Sequence, residues 1–199
     1  MIEMLGVLAI VGVLSVGGIA GYSKAMTKFK INKTADQVST IVANIRTLYA
    51  QQTTYDGLNS ATAIQMGVTP DEMGSGTTLT NPFNGDVSIR AHWSGIKKFT
   101  IVYNGLPKEA CITLATHDWG SKHSSGLLAI SAAGGWGASG PMNVADDIGY
   151  EYALECTNDG SVFFACPGDA NNPTPMSVSR AAQACACEAN SCSVGWKFQ

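Results

Sequence analysis

From Met4 to Gly21 every residue is apolar or glycine except Ser15, and one charge, Glu3, stands at the head of the run. As an α-helix this stretch rises about 27 Å, close to the hydrocarbon thickness of a bilayer. Such a segment must be covered by lipid or by other apolar helices. A lone carboxylate beside it costs a few kcal/mol or more, depending on depth. Glu3 can sit at an interface, at the end of a plain anchor, or be met by a cation from another copy of the chain. We take the second reading.

The apolar character then changes period. Ser23 to about Gln52 contains no Pro or Gly, and Ile31, Ala35, Val38, Ile41, Val42, Ile45, Leu48 and Tyr49 recur every three or four residues. That is one stripe on an amphipathic helix, with Lys33, Asp36, Gln37, Asn44 and Arg46 largely outside it. If continuous, the helix covers about 50 residues and about 75–80 Å, longer than a small domain is wide. The expected organisation is a protruding hydrophobic helix over 1–22, an amphipathic half of the same helix over 23–53, and a globular head over 54–199. Gly6, Gly12, Gly17, Gly18 and Gly21 each cost about 1 kcal/mol relative to Ala in water. They read as ordinary membrane-helix glycines, as sites of close helix approach, or as places that unwind outside lipid. Gly17-Gly18 is the expected melting point.

The net charge of −3 and charged content of 14% argue against nucleic-acid binding or a polybasic membrane patch. All six cysteines, Cys111, Cys156, Cys166, Cys185, Cys187 and Cys192, lie in the C-terminal half. With a membrane-type N-terminus they read as disulfides of an exported domain. Lys24, Lys28, Lys30 and Lys33 follow the apolar run, and the positive-inside rule would hold them in the cytoplasm. The cysteines outweigh that. No basic n-region or small-residue cleavage site is visible, so any basic leader is expected to have been removed.

Thr53 to Gly76 reads as loop with short helical pieces, one starting at Thr69-Pro70 with Thr69 as N-cap. Asn81 to Asp86 is a turn. Val87, Ile89 and Ala91, then Phe99, Ile101 and Tyr103, alternate with polar residues, Val102 excepted. They predict an antiparallel hairpin turning at Ser94-Gly95 with one buried face. A helix opens at Pro107, with Cys111, Leu114 and Ala115 on its apolar side. Strands are expected over 126–133, 148–154, 161–165 and 194–198, a glycine-rich loop at Gly134 to Gly137, a hairpin at Asn158-Asp159-Gly160, and a helix over 177–189.

No catalytic or cofactor constellation stands out. His92, His117 and His123 lack zinc-like spacing, and Cys185-Ala186-Cys187 is not a redox CxxC. Ser124-Ser125-Gly126 is no nucleophile elbow, and Asp146-Asp147 reads as a solvated loop. Trp93, Trp119, Trp136 and Trp196 read as core or subunit-contact residues. An enzyme, a metal and a cofactor are not expected.

The motif Met1-Ile2-Glu3-Met4-Leu5-Gly6-Val7-Leu8-Ala9-Ile10, the long helix and the disulfide-bearing sheet together resemble a type IV pilin. Asn81-Pro82-Phe83, Phe99 to Val102 and Gly105 to Cys111 are similar to stretches of the type IVb class, which includes toxin-coregulated pilin and the pilins of conjugative thin pili. The resemblance implies an α+β pilin fold and a subunit processed by a prepilin peptidase and often N-methylated. Pilus machinery would then assemble it from the bacterial inner membrane into an extracellular filament of identical subunits. Glu3 matches the family glutamate, two residues nearer the start than in the family, and would pair with the N-terminal amine (here Met1) of an adjacent subunit. The resemblance also implies a bridge from Cys111 to one of Cys185, Cys187 or Cys192 in the C-terminal segment, Cys187 being favoured, with Cys156–Cys166 and Cys185–Cys192 completing the set. A major pilus subunit is the expected role, and adhesion, aggregation or conjugative DNA transfer all fit it. The rivals are a minor pilin, a secretion pseudopilin, and an anchored periplasmic binding domain that does not polymerise.

Overall fold

The long helix is continuous. In the computed structural model α1 runs over Ile2–Leu48 (47 residues), or about 70 Å, unbroken through Gly17-Gly18. The residues described are 2–74, 76–92, 97–120, 125–134, 136–137, 140–141, 162–187 and 192–199. Helix α1 stops short of Gln52 because its final carbonyls are drawn into tighter bonds. Ala50 N donates to Thr47 O and Gln52 N to Tyr49 O, a three-residue spacing that closes the helix. Lys97 Nζ then donates to Tyr49 O at 3.2 Å and Gln52 O at 2.7 Å.

Ile31, Val38, Ile41, Val42, Ile45 and Tyr49 are buried, as the stripe predicts, but Leu48 is 50% exposed. Two polar residues join the buried face. Thr34 satisfies its hydroxyl on Lys30 O at 2.9 Å. Gln37, expected outside the stripe, is buried with its Nε2 donating to Glu72 Oε1 at 3.0 Å.

The stripe packs on an antiparallel sheet of β1 (Leu79–Thr80), β2 (Asp86–Ala91), β3 (Phe99–Leu106), β4 (Leu127–Gly134), β7 (Val162–Ala165) and β8 (Cys192–Phe198). The spatial order is β1-β2-β3-β8-β4-β7. The hairpin of β2 and β3 forms as predicted, with Ile89 opposite Ile101; its turn at Ser94-Gly95 lies outside the described residues. Val102 and Thr100 are buried as well as Phe99, Ile101 and Tyr103. Strand β3 is therefore covered on both faces, which is why Val102 breaks the alternation. The last strand, β8, takes the middle of the sheet, with Trp196 paired to Ile101 on one side and Ile130 on the other. Trp196 is fully buried and packs edge-on to Tyr103 and Trp119 at 5.7 and 4.9 Å between ring centroids. Trp93 lies outside the described residues.

The turn before β2 is fixed by Asn81, whose Oδ1 accepts from Phe83 N and Gly85 N and whose Nδ2 donates to Asn104 O. Gly85 lies so close to the Asn104 backbone that a Cβ there would collide with it. Helix α2 (Ser60–Gln65) starts on a reciprocal cap between Asn59 and Thr62, a device of this type being worth about 1 kcal/mol. Thr69-Pro70 opens only a 3-10 turn, Asp71–Met73, with Pro70 at its N-cap and no side-chain capping bond. Helix α3 (Lys108–Thr116) buries Cys111, Leu114 and Ala115 as predicted. Helix α4 (Val178–Ala184) is shorter than predicted: its backbone leaves the helical conformation at Cys185, with φ −93° and ψ 28°. Within the glycine-rich stretch, Gly134 ends β4, and β5 (Trp136–Gly137) pairs with β6 (Gly140–Pro141). The expected strand over 148–154 and the turn at Asn158-Asp159-Gly160 lie outside the described residues, as do Asp146 and Asp147.

The disulfides correct the expected pairing. Cys111 bonds Cys185, not Cys187, and Cys187 bonds Cys192 in place of Cys185, with Cα separations of 5.9 and 5.5 Å. Cys185 caps α4, which packs on α3 and sets it, fully buried, against Cys111. Cys187 is only half-buried two residues on, next to the start of β8. Cys166 is disulfide-bonded; Cys156, its expected partner, lies outside the described residues.

Candidate assembly surface

The first half of α1 touches little of its own chain. Met4 is 76% exposed, Leu14 69% and Tyr22 68%, and Val7, Ile10, Val11, Val13 and Ile19 are exposed as well. These side chains lie on every side of the helix at about 100° per residue. Among the described residues these side chains form apolar surface open to their surroundings, far beyond the patch a monomeric protein normally shows. The helix is long and apolar enough to cross a membrane.

The glycines carry the same message. A Cβ built on Gly6, Gly12, Gly18 or Gly21 meets nothing within 4 Å. Nothing among the described residues requires glycine there. Gly6, Gly12 and Gly18 face three different sides, since six residues advance the helix by about 240°. Small residues admit close approach of neighbouring helices, and here that approach is open from several directions at once.

Glu3 lies in the first turn of α1; Met1 lies outside the described residues. Among the described residues the next charge on α1 is Lys24, followed by Lys28, Lys30 and Lys33. Lys24 and Lys28 are exposed and Lys30 is half-buried, so the helix becomes cationic where it meets the head.

The head holds the other half of α1 firmly. Arg46 donates from Nη1 to Ser125 O at 2.7 Å and from Nε and Nη2 to Gln199 O at 3.2 and 3.1 Å. Its guanidinium lies over the Phe198 ring at 5.2 Å. Asn44 Nδ2 donates to Val68 O at 3.0 Å. Glu72 receives Gln37 and pairs with Lys33 at 3.1 Å. The Gln37 hydrogen bond, then that from Lys33, hold the Glu72 carboxyl below its usual pKa. The sequence missed this latch because its partners lie far apart along the chain.

Of the other candidates, His92 is buried and His117 packs against Trp119 at 4.9 Å, while His123 lies outside the described residues. The sulfurs of Cys111, Cys185 and Cys192 lie within 4.8 Å of one another, all taken up in disulfides. Lys197 is fully buried on β8, and desolvation, then the neighbouring Lys98 charge, lower its pKa to about 8. Burial raises the pKa of Tyr103.

Residues 23–153 match the protein family described as Bundlin. The chain is 29% identical over 124 residues to the major structural subunit of bundle-forming pilus of Escherichia coli O127:H6 (strain E2348/69 / EPEC), covering 61% of this chain and 64% of that protein. The same figures hold for the subunit of that name from Escherichia coli O111:H-. The chain thus spans a little under two thirds of these curated relatives. Among solved structures, TcpA, a type IV pilin from Vibrio cholerae El Tor biotype, superposes with a TM-score of 0.54 at 19% identity, covering 85% of this chain and 99% of TcpA. The architecture is the type IV pilin fold, and the chain belongs to the bundlin family.

Proposed function

We propose that this chain is the repeating structural subunit of a type IVb pilus, polymerising through its N-terminal helix into a cell-surface filament. The observation that carries this reading is the apolar first half of α1, whose described side chains are exposed, built on a helix whose second half is locked to a head. The name of its relatives, major structural subunit of bundle-forming pilus, supports it. The role is structural, not enzymatic.

Before assembly, the run from Met4 to Gly21 holds the subunit in the bacterial inner membrane. In the filament the same surface is covered by neighbouring helices, each square ångström of apolar burial contributing about 25 cal/mol. Glu3 meets the N-terminal amine of an adjacent subunit. Where water is scarce that attraction is several-fold stronger than in bulk, and leaving either charge alone costs several kcal/mol. The pairing therefore sets the axial stagger. Gly17-Gly18 is where α1 unwinds when it leaves lipid. A prepilin peptidase and the pilus assembly machinery are its processing and assembly partners. The disulfides stabilise a head that works in an oxidising space outside the cell.

Replacing Glu3 by Ala or Val is expected to abolish filaments seen by electron microscopy of sheared surface material, with the subunit still inserted in the membrane. Abundant normal filaments from that variant would refute the charge-pairing mechanism. A wild-type chain missing from every sheared filament would sink the structural role itself.

A further inference from the structure

Two bridges of the head meet in one cluster of sulfurs. The Sγ atoms of Cys111, Cys185 and Cys192 lie within 4.8 Å of one another. One sulfur of the Cys187–Cys192 bridge therefore stands beside both sulfurs of Cys111–Cys185. Three elements bring them together: Cys111 lies on α3, Cys185 is the C-cap of α4, and Cys192 opens β8. Strand pairing to Leu106 of β3 and Gly134 of β4 fixes Cys192 in place. Its Sγ is also 3.6 Å from Cys185 O. All three cysteines are fully buried. Cys187 is half-buried and outside the cluster.

This uneven access decides how the bridges can react. In thiol–disulfide exchange a thiolate attacks one sulfur of a disulfide and displaces the other. Of the four sulfurs in these two bridges, that of Cys187 is the one open to solvent. Attack there releases Cys192, the sulfur already seated against Cys111–Cys185.

We propose that Cys187–Cys192 is an exchange bridge, through which an external thiol or disulfide reaches the buried Cys111–Cys185 pair while the head stays folded. In the reducing direction the thiolate of an external thiol attacks Cys187 Sγ. A mixed disulfide forms there, the Cys187–Cys192 bond breaks, and its electron pair leaves on Cys192. The Cys192 thiolate then attacks Cys185 or Cys111. The Cys111–Cys185 bond breaks, Cys192 is bonded to the sulfur that it attacked, and the other leaves as a thiolate. In each step one disulfide breaks, one forms, and one thiolate replaces another. Run in reverse, with an external disulfide as the oxidant, the same steps deliver a bond from Cys187–Cys192 to the buried pair. The consequence is self-correction. Cys185 and Cys187 are two residues apart, and a head closed with the wrong one on Cys111 is repaired through Cys192 without unfolding.

Two single variants of the full-length protein separate this device from a merely structural bridge, because both remove the same bond. Cys187→Ala leaves the free thiol on Cys192, inside the cluster; Cys192→Ala leaves it on Cys187, outside. Each is held folded in mildly alkaline buffer, quenched with acid, blocked with N-ethylmaleimide and mapped by peptide mass spectrometry. In Cys187→Ala, at least about a tenth of the chains should carry Cys192 bonded to Cys185 or Cys111 within hours, the timescale of uncatalysed rearrangement. The displaced cysteine should carry the label. In Cys192→Ala the Cys111–Cys185 bond should stay whole, with the label on Cys187. An unchanged Cys111–Cys185 bond beside a free Cys192 in the first variant overturns the proposal. So does equal shuffling in both, which would mark exchange through the unfolded chain. The wild type supplies a check that does not depend on either variant folding. With reduced glutathione under native conditions, the first glutathionylated residue of these four should be Cys187; first capture on Cys111, Cys185 or Cys192 overturns the proposal as well.

Discussion

The two halves of α1 are one helix in two solvents. From Ile31 to Leu48 it is apolar on one face only, has no Pro or Gly, and is fastened by Arg46, Asn44, Gln37 and Lys33 to residues of the head. From Met4 to Tyr22 it is apolar all round and carries five glycines, and its described side chains are exposed. The first half of that comparison is explained by the molecule itself. The second is not. Each glycine costs helix stability in water, and those at 6, 12, 18 and 21 meet nothing among the described residues that would require them. A helix of this composition makes physical sense only beside lipid or beside its own copies. Within one secondary-structure element, packing explains the half that is folded and composition foretells the half that is waiting.

The comparison breaks most visibly under a buried charge. Ile45→Asp, at a fully buried position, is expected to cost more than about 4 kcal/mol and to abolish cooperative melting of the head. Leu14→Asp should leave the head's melting temperature unchanged while preventing both insertion and filaments. A clear fall in head stability from Leu14→Asp would show the halves to be coupled. The disulfides grade the head's own stability. Removing Cys111–Cys185, which spans 74 residues, is expected to cost about 4 kcal/mol. Removing Cys187–Cys192, which spans 5, should cost about 2 kcal/mol; denaturant melts of the paired Cys→Ala variants measure both.

A smaller test concerns the charge that the head does bury. Lys197 has a folded pKa near 8 against an ordinary 10.5, so between those values the unfolded chain binds more protons. Stability should therefore rise with pH across that window and show no dependence on this group below it. Lys197→Met should stabilise the head at pH 7 and flatten the rise. Above pH 10 the effect is opposed by Tyr103, whose burial keeps it protonated when folded. The smallest effect belongs to the exposed latch. The Glu72 carboxylate contribution is fully present above the ordinary carboxylate range and is lost as pH falls through its lowered folded pKa. Glu72→Gln should shift melting slightly at neutral pH and not at all in acid, and carboxylate titration by NMR would check the sign.

The periodicities of the sequence were legible because each is local. The stripe from Ile31 to Tyr49, the β2–β3 alternation and the Pro107 helix start all follow from side-chain direction along a single element. Gln37 escaped that reading because its burial depends on Glu72 reaching across from a 3-10 turn. The disulfide partners were exchanged for a similar reason. Cys185 and Cys187 are two residues apart, and only the docking of α4 on α3 decides which meets Cys111. On the assembly surface, the apolar run, Glu3 and the glycines were readable directly.

By itself, then, the sequence determined that a long helix must exist, which part of it stays uncovered, and that the C-terminal half is cross-linked, since hydrophobic period and cysteine count are properties of the chain. Only the tertiary structure decided that the final strand enters the centre of the sheet, which cysteines bond, and which distant residues latch the second half of α1 to the head. Those are relations between distant residues, fixed when packing selects one arrangement among many that the same local preferences allow.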